Sequence, residues 1–154
     1  KGIWLQSKIR GSGKSTLLRC FQINKRCCFA YQHTTELGNK FQKSGYDGID
    51  YFLNLIPQSA RQSNFFQTHA GWMYDELFGE RHVNHMGTPL YPSEYILNKL
   101  YDFSDNQKGQ LWKFHCTSNA SGEDIEKISG ETYRSRMPDM FNLIKLEGPN
   151  RRVI

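Results

Sequence analysis

Apolar residues recur along this chain in two rhythms. An unbroken short run such as GIWLQS, Gly2 to Ser7, has the pattern of a strand buried on both faces, whereas STLLRCFQI, Ser15 to Ile23, spaces Leu17, Leu18, Phe21 and Gln22 along one side of a helix. CCFAYQ, Cys27 to Gln32, predicts a second strand, followed by helical stretches around Thr35 to Lys43 and Gly48 to Leu55. PQSARQSN, Pro57 to Asn64, has turn composition and no apolar period, so it reads as a polar connection. AGWMYDELFGE, Ala70 to Glu80, is a short apolar run that ends in paired acids. A helix opening near Pro92 carries Ile96, Leu97, Leu100 and Tyr101 on one side, and LWKFHCTSN, Leu111 to Asn119, is a further strand with a polar end. Ser121 with Asp124 forms the pattern of a capping box for a short helix from Gly122 to Ile128. A second short helix, around Tyr133 to Met137, is expected to stop at Pro138, and FNLIKLE, Phe141 to Glu147, closes the series as a strand. Strands alternating with helices predict an α/β fold, a parallel sheet with helices on both faces. Ligands collect at the carboxyl ends of the strands in such sheets.

The polar clusters fall at those ends. After the first strand comes IRGSGKSTLLRC, Ile9 to Cys20. Gly11 and Gly13 let successive backbone N–H groups turn into one concavity, Lys14 adds a point charge, and Ser15 offers a hydroxyl to a magnesium ion at the positive end of the helix. The full phosphate-loop pattern wants a glycine where Lys8 stands, a change that costs nothing if that residue keeps negative φ and strains the backbone if it does not. A loop holding Mg-ATP needs one carboxylate for the magnesium shell and another to polarise water, and Asp75 and Glu76 supply both. Asn119, where the FHCTSN strand emerges, can hold the attacking water or a γ-phosphate oxygen, or serve as a turn residue. Arg134 and Arg136 in YRSRM stand two apart on a helix and point to different sides, so at most one serves a given site.

Composition narrows the picture without redirecting it. The 154 residues suffice for one domain, 23% charged and 38% hydrophobic, and no apolar run approaches a membrane span. Nothing resembles a signal peptide, and Cys20, Cys27, Cys28 and Cys116 form no C-x-x-C pair, which predicts reduced thiols in a cytoplasmic protein. The chain starts abruptly in a strand, and a segment N-terminal to it is expected. A formal net charge of +5 hints at an anionic partner but does not separate nucleic acid from ATP. Lys25, Arg26, Lys40 and Lys43 could line a path for single-stranded nucleic acid or form a solvated helix face. Phe65, Phe66, Trp112 and Phe114 could stack bases, with burial in the core the simpler reading; His82 and His85 have a metal-like spacing but no further ligand pattern nearby.

The order of these segments carries a resemblance. From KGIWLQSKIRGSGKSTLL through MYDELFGE, NHMGTPLYPSEYILNKLYDF and FHCTSNASGEDIEKISGETYRSRMPDMFNLIKLEGPNRR, the chain resembles the AAA+ ATPases of the DnaC/DnaA branch, which includes helicase loaders and transposition helper ATPases. By that likeness Gly11, Ser12, Gly13, Lys14, Ser15 and Thr16 match the Walker A loop, Asp75 and Glu76 the Walker B pair, and Asn119 the sensor 1 position. RSRM matches the box VII segment, with Arg136 in the place of the arginine finger and Arg134 as second candidate; GPNRR, with Arg151 and Arg152, resembles the ending of loaders without a helical lid. The resemblance implies a five-stranded sheet in the order 5-1-4-3-2 and an oligomeric Mg-ATP-dependent ATPase that works on DNA with a replicative helicase as partner. Three departures stand out: Lys8 for the first Walker A glycine, Thr132 where the pattern has a further arginine, and the glycine after the acidic pair delayed to Gly79. A small-molecule kinase, and a nucleotide-dependent interaction module without turnover, are the readings that compete with an ATPase.

Overall fold

The computed structural model describes residues 1–22, 29–62, 71–106 and 113–150. Strand β1 (Gly2–Gln6) leads through the glycine loop into helix α1 (Lys14–Gln22), and β2 (Phe29–His33) into α2 (Thr34–Gln62). After β3 (Gly71–Asp75) come two three-residue strands, β4 (Val83–His85) and β5 (Thr88–Leu90), then α3 (Pro92–Asn106), β6 (Lys113–Ser118), α4 (Gly122–Ser129), α5 (Glu131–Met140) and β7 (Phe141–Lys145). Cys27, Cys28, Phe65, Phe66, Trp112, Lys25, Arg26, Arg151 and Arg152 lie outside the described residues.

Five strands form one parallel sheet in the order β2-β3-β6-β1-β7, a label order that differs from the expected 5-1-4-3-2. The hairpin β4-β5, absent from the sequence reading, stands outside the sheet and shifts the labels. Counted among themselves along the chain, the five sheet strands run 2-3-4-1-5, which is 5-1-4-3-2 taken from the other edge.

Alternation along the strands divides the core into two layers. Trp4, Trp72, Tyr74, Phe114 and Cys116 point to the face covered by α2 to α5, where Leu37, Phe41, Ile96, Leu97, Ile125 and Met137 complete the larger cluster. Leu5 and Met73 point to the opposite face and pack against Leu18 of α1, with Ile3, Tyr31 and Leu146 at the margin. Phe114 is therefore a core residue and not a base-stacking surface.

Three expectations fail for identifiable reasons. Pro57 to Gln62 continue a helix in place of a polar turn; the gap expected between the stretches ending at Lys43 and opening at Gly48 is present, as a break at Gly45, whose φ of 61° and ψ of −148° are open only to glycine. Pro138 does not stop α5, which runs on to Met140: in the last turn a missing N–H removes one bond without ending the element. Leu17, expected on the buried side of α1, is 41% exposed because the sheet presents only Leu18's side of that helix with a surface to cover. The capping box of α4 is present as expected, with Asp124 N donating to Ser121 Oγ at 3.2 Å and Ser121 N donating to Asp124 Oδ2 at 2.8 Å.

Candidate functional site

The carboxyl ends of β1, β3 and β6 meet at one pocket of about 660 Å³, lined by Arg10 to Leu17, Cys20, Glu76, Thr117, Asn119 and Leu146. Its floor is the loop between β1 and α1. Gly11 (φ 78°) and Gly13 (φ 92°) take left-handed conformations there, and α1 starts at Lys14, so the free N–H groups of its first turn face the pocket. Lys8 is not among the described non-glycine residues with positive φ; its place in the loop carries no backbone strain.

Lys14, though charged, is 8% exposed. Its ammonium donates to Asn119 Oδ1 at 2.7 Å and, at longer range, to Ser7 O (3.3 Å), Ile9 O (3.4 Å) and Ser12 Oγ (3.3 Å). Each of these four acceptors is a neutral oxygen. Asn119 thus joins the tip of β6 to the glycine loop 105 residues earlier in the chain.

Asp75 closes β3, is 4% exposed, and gathers three hydroxyls. Oδ1 accepts from Ser15 at 2.7 Å and from Thr117 at 2.5 Å, and Oδ2 accepts from Tyr31 at 2.5 Å. Burial pushes the carboxyl up, but the bonds from Thr117, Tyr31 and Ser15 outweigh it and hold the group below the usual carboxylate range. Burial and the bond to Asp75 push the Tyr31 phenol up to about 12, which keeps it a donor throughout the neutral range.

Glu76 sits one residue on, where the chain turns sharply. Its φ of 65° and that of Phe78, 61°, are left-handed, and Gly79 N donates to Glu76 O at 2.9 Å to close the turn. A Cβ on Gly79 would lie 2.9 Å from Glu76 O and 2.6 Å from its Cγ, so the late glycine is what this tighter turn demands. The turn hangs on neighbouring strands: Glu76 N donates to Thr117 Oγ1 at 2.9 Å, Leu77 N to Thr117 O at 2.8 Å, and Thr34 Oγ1 to Glu76 O at 2.9 Å. The side chain lines the pocket and meets His33, whose Nε2 is 3.2 Å from Glu76 Oε2. Left-handed backbone at a non-glycine residue persists only where the surroundings over-determine it.

The donor set fits magnesium. Ser15 Oγ and Asp75 Oδ1 are hard oxygen donors 2.7 Å apart, and the described residues contain no group of three His, Cys, Asp or Glu that could hold a metal by themselves. A cation here would draw its remaining oxygens from a ligand and water, which is how magnesium accompanies phosphates.

The two arginines are elsewhere. Arg136 donates to Asn98 Oδ1 of α3 at 2.6 Å and lies 4.6 Å from the Tyr101 ring centroid, while Arg134 pairs with Glu126. Neither lines the pocket around the glycine loop. His82 stacks on Tyr91 and His85 packs edge-on to Phe41, which occupies both rings with protein. Lys40 and Lys43 stand on α2, with Lys40 partly buried and its ammonium pulled down by that burial. Tyr31, His33, Thr34 and Thr117 were missed by the motif reading. The signal available for them was position, since polar residues at the carboxyl end of a parallel strand stand beside those of the adjacent strands. No protein-family model and no curated protein matches this chain.

Proposed function

We propose that this chain is a P-loop nucleoside triphosphatase of the AAA+ helicase-loader type, which binds and hydrolyses Mg-ATP. The observation that carries the reading is convergence. Lys14 and Ser15, Glu76, and Thr117 and Asn119, set at the carboxyl ends of three different strands, line one concavity at the start of a helix, with Asp75 bonded to Ser15 beside it. The N–H groups of the loop and first turn receive the phosphates, and Lys14, held by Asn119, supplies the fixed cation. Magnesium, when bound, neutralises charge between the phosphates; Ser15 and Asp75 would hold it. Glu76 is the group that accepts a proton from water, and His33 is its partner at rest. The extension to an oligomer acting on single-stranded DNA with a replicative helicase rests on the sequence resemblance and not on the site.

Lys14→Ala should abolish nucleotide binding in a calorimetric titration, because the triphosphate loses its fixed cation. Glu76→Gln should still bind and cease to hydrolyse, since only the proton acceptor is gone. Unchanged affinity in Lys14→Ala overturns the reading. Binding without turnover in the wild type leaves an interaction module, and a phosphorylated small molecule among the products marks a kinase.

A further inference from the structure

The Asp75 carboxylate is gripped at both oxygens by residues of different standing. Ser15 and Thr117 donate to Oδ1, and among the described residues Tyr31 alone donates to Oδ2. Ser15 belongs to the glycine loop, and on the reading above its hydroxyl turns away to the ion that accompanies the triphosphate. What then remains on Asp75 is one donor to each oxygen, Thr117 and Tyr31. Two bonds to opposite oxygens fix the plane of a carboxylate, whereas one leaves it free to turn about the Cβ–Cγ bond.

Tyr31 is itself prepared for this. Arg19 Nη2 donates to the Tyr31 hydroxyl at 2.6 Å, and the guanidinium lies 4.4 Å from the ring centroid. A hydroxyl that accepts from a cation is the stronger donor to its next partner. Arg19 stands one helical turn after Ser15 on α1. The same helix therefore presents Ser15 to one oxygen of Asp75 and, through Arg19, sets Tyr31 on the other.

We propose that Tyr31 is a positioning residue for the cation-binding carboxylate: its hydroxyl, set by Arg19, holds Asp75 Oδ2 so that Oδ1 stays turned to the glycine loop once Ser15 lets go. The proposal rests on the Mg-nucleotide reading and adds to it a residue from outside the glycine loop and the paired acids. Its test is the magnesium dependence of binding of a fluorescent ATP analogue by the full chain, a measurement that needs no turnover. In Tyr31→Phe the affinity in EDTA should be unchanged, and the magnesium concentration for half-maximal binding should rise about 10-fold, the usual cost of losing an outer partner of a metal ligand. An unchanged magnesium requirement in a Tyr31→Phe protein that melts with the wild type overturns the proposal and leaves the nucleotide reading standing. Wild-type protein that binds no nucleotide, or binds it without regard to magnesium, overturns both. Should Tyr31→Phe fail to fold, Arg19→Ala at its exposed position keeps the hydroxyl and removes the donor behind it. A raised magnesium requirement there supports the proposal, and an unchanged one ends it.

Discussion

Glu80 is the acid of the turn after β3 that no motif claims. Its Oε1 accepts from Ser93 N at 2.6 Å in the first turn of α3, while Oε2 is shut away from solvent and meets no hydrogen-bond partner among the described residues. Ser93 in turn accepts from Phe78 N at 2.7 Å, so the carboxylate supports the turn that carries Glu76. Burial pushes the Glu80 carboxyl up, with the bonds from Ser93 only partly offsetting it. Because the folded value lies above the unfolded one, this group's contribution to stability is complete below the unfolded value. It is lost as pH rises through the folded one. Glu80→Gln keeps an oxygen for Ser93 N and removes the titration. As pH rises from about 4 to neutrality, wild type should lose melting temperature relative to Glu80→Gln. Parallel melting curves would mean that Glu80 carries its charge without cost.

At the scale of elements, the hairpin and α2 act together. Met86 (φ 49°) and Gly87 (φ 84°) form a two-residue turn whose left-handed backbone conformations match the right-handed twist of the paired strands, in which Val83 faces Leu90 and His85 faces Thr88. His85 leans on the break in α2, with Nδ1 2.9 Å from Gln42 O and its ring against Phe41. Gly45 makes this approach feasible twice over: its backbone conformation is open only to glycine, and a Cβ there would come within 3.0 Å of the His85 ring. Gly45→Ala should therefore cost about 1–3 kcal/mol, read as a shift in the urea midpoint. Gly122→Ala is the control, since a Cβ there meets only Arg134 Cγ, at 3.9 Å, and the residue is helical. It should be neutral or slightly stabilising. Equal losses at the two positions would remove the claim that Gly45 is conformationally required.

At the scale of the whole molecule, Arg136 stands outside the pocket around the glycine loop. α3 fixes it: Asn98 accepts from Arg136 and donates to Tyr133 OH at 2.7 Å, and Tyr101 stacks beneath the guanidinium. On the proposed AAA+ reading, an arginine held there would serve a triphosphate on another copy of the chain. Arg136→Ala should leave ATP affinity intact while turnover falls by about 10³, the lower range for loss of an arginine finger. Mixed with Lys14→Ala, it should recover part of its turnover, because some interfaces then join an intact loop to an intact arginine. A mixture that assembles and stays inactive rules out action in trans and returns attention to Arg134.

Much of the site was written in local pattern. Glycines ahead of a lysine and hydroxyls, paired acids after an apolar run, and an asparagine after a strand are each legible because short-range geometry sets them: φ at Gly11 and Gly13, helix initiation at Lys14, and the end of a strand at Asp75. The capping box of α4 was legible for the same reason. Pairing across the sheet was not. That Tyr31 meets Asp75, that Thr117 carries both Asp75 and Glu76, and that Asn119 receives Lys14 depend on β2, β3, β6 and β1 lying side by side. No spacing in the chain encodes that adjacency. The helical course of Pro57 to Gln62 likewise goes against local composition. The amino-acid sequence by itself determined which residues could serve a phosphate, since that chemistry resides in side chains and in the few residues that fix a turn. Only the tertiary structure decided which of them share an atom's environment, because burial and hydrogen bonding between strands far apart in the chain exist only once the sheet has formed.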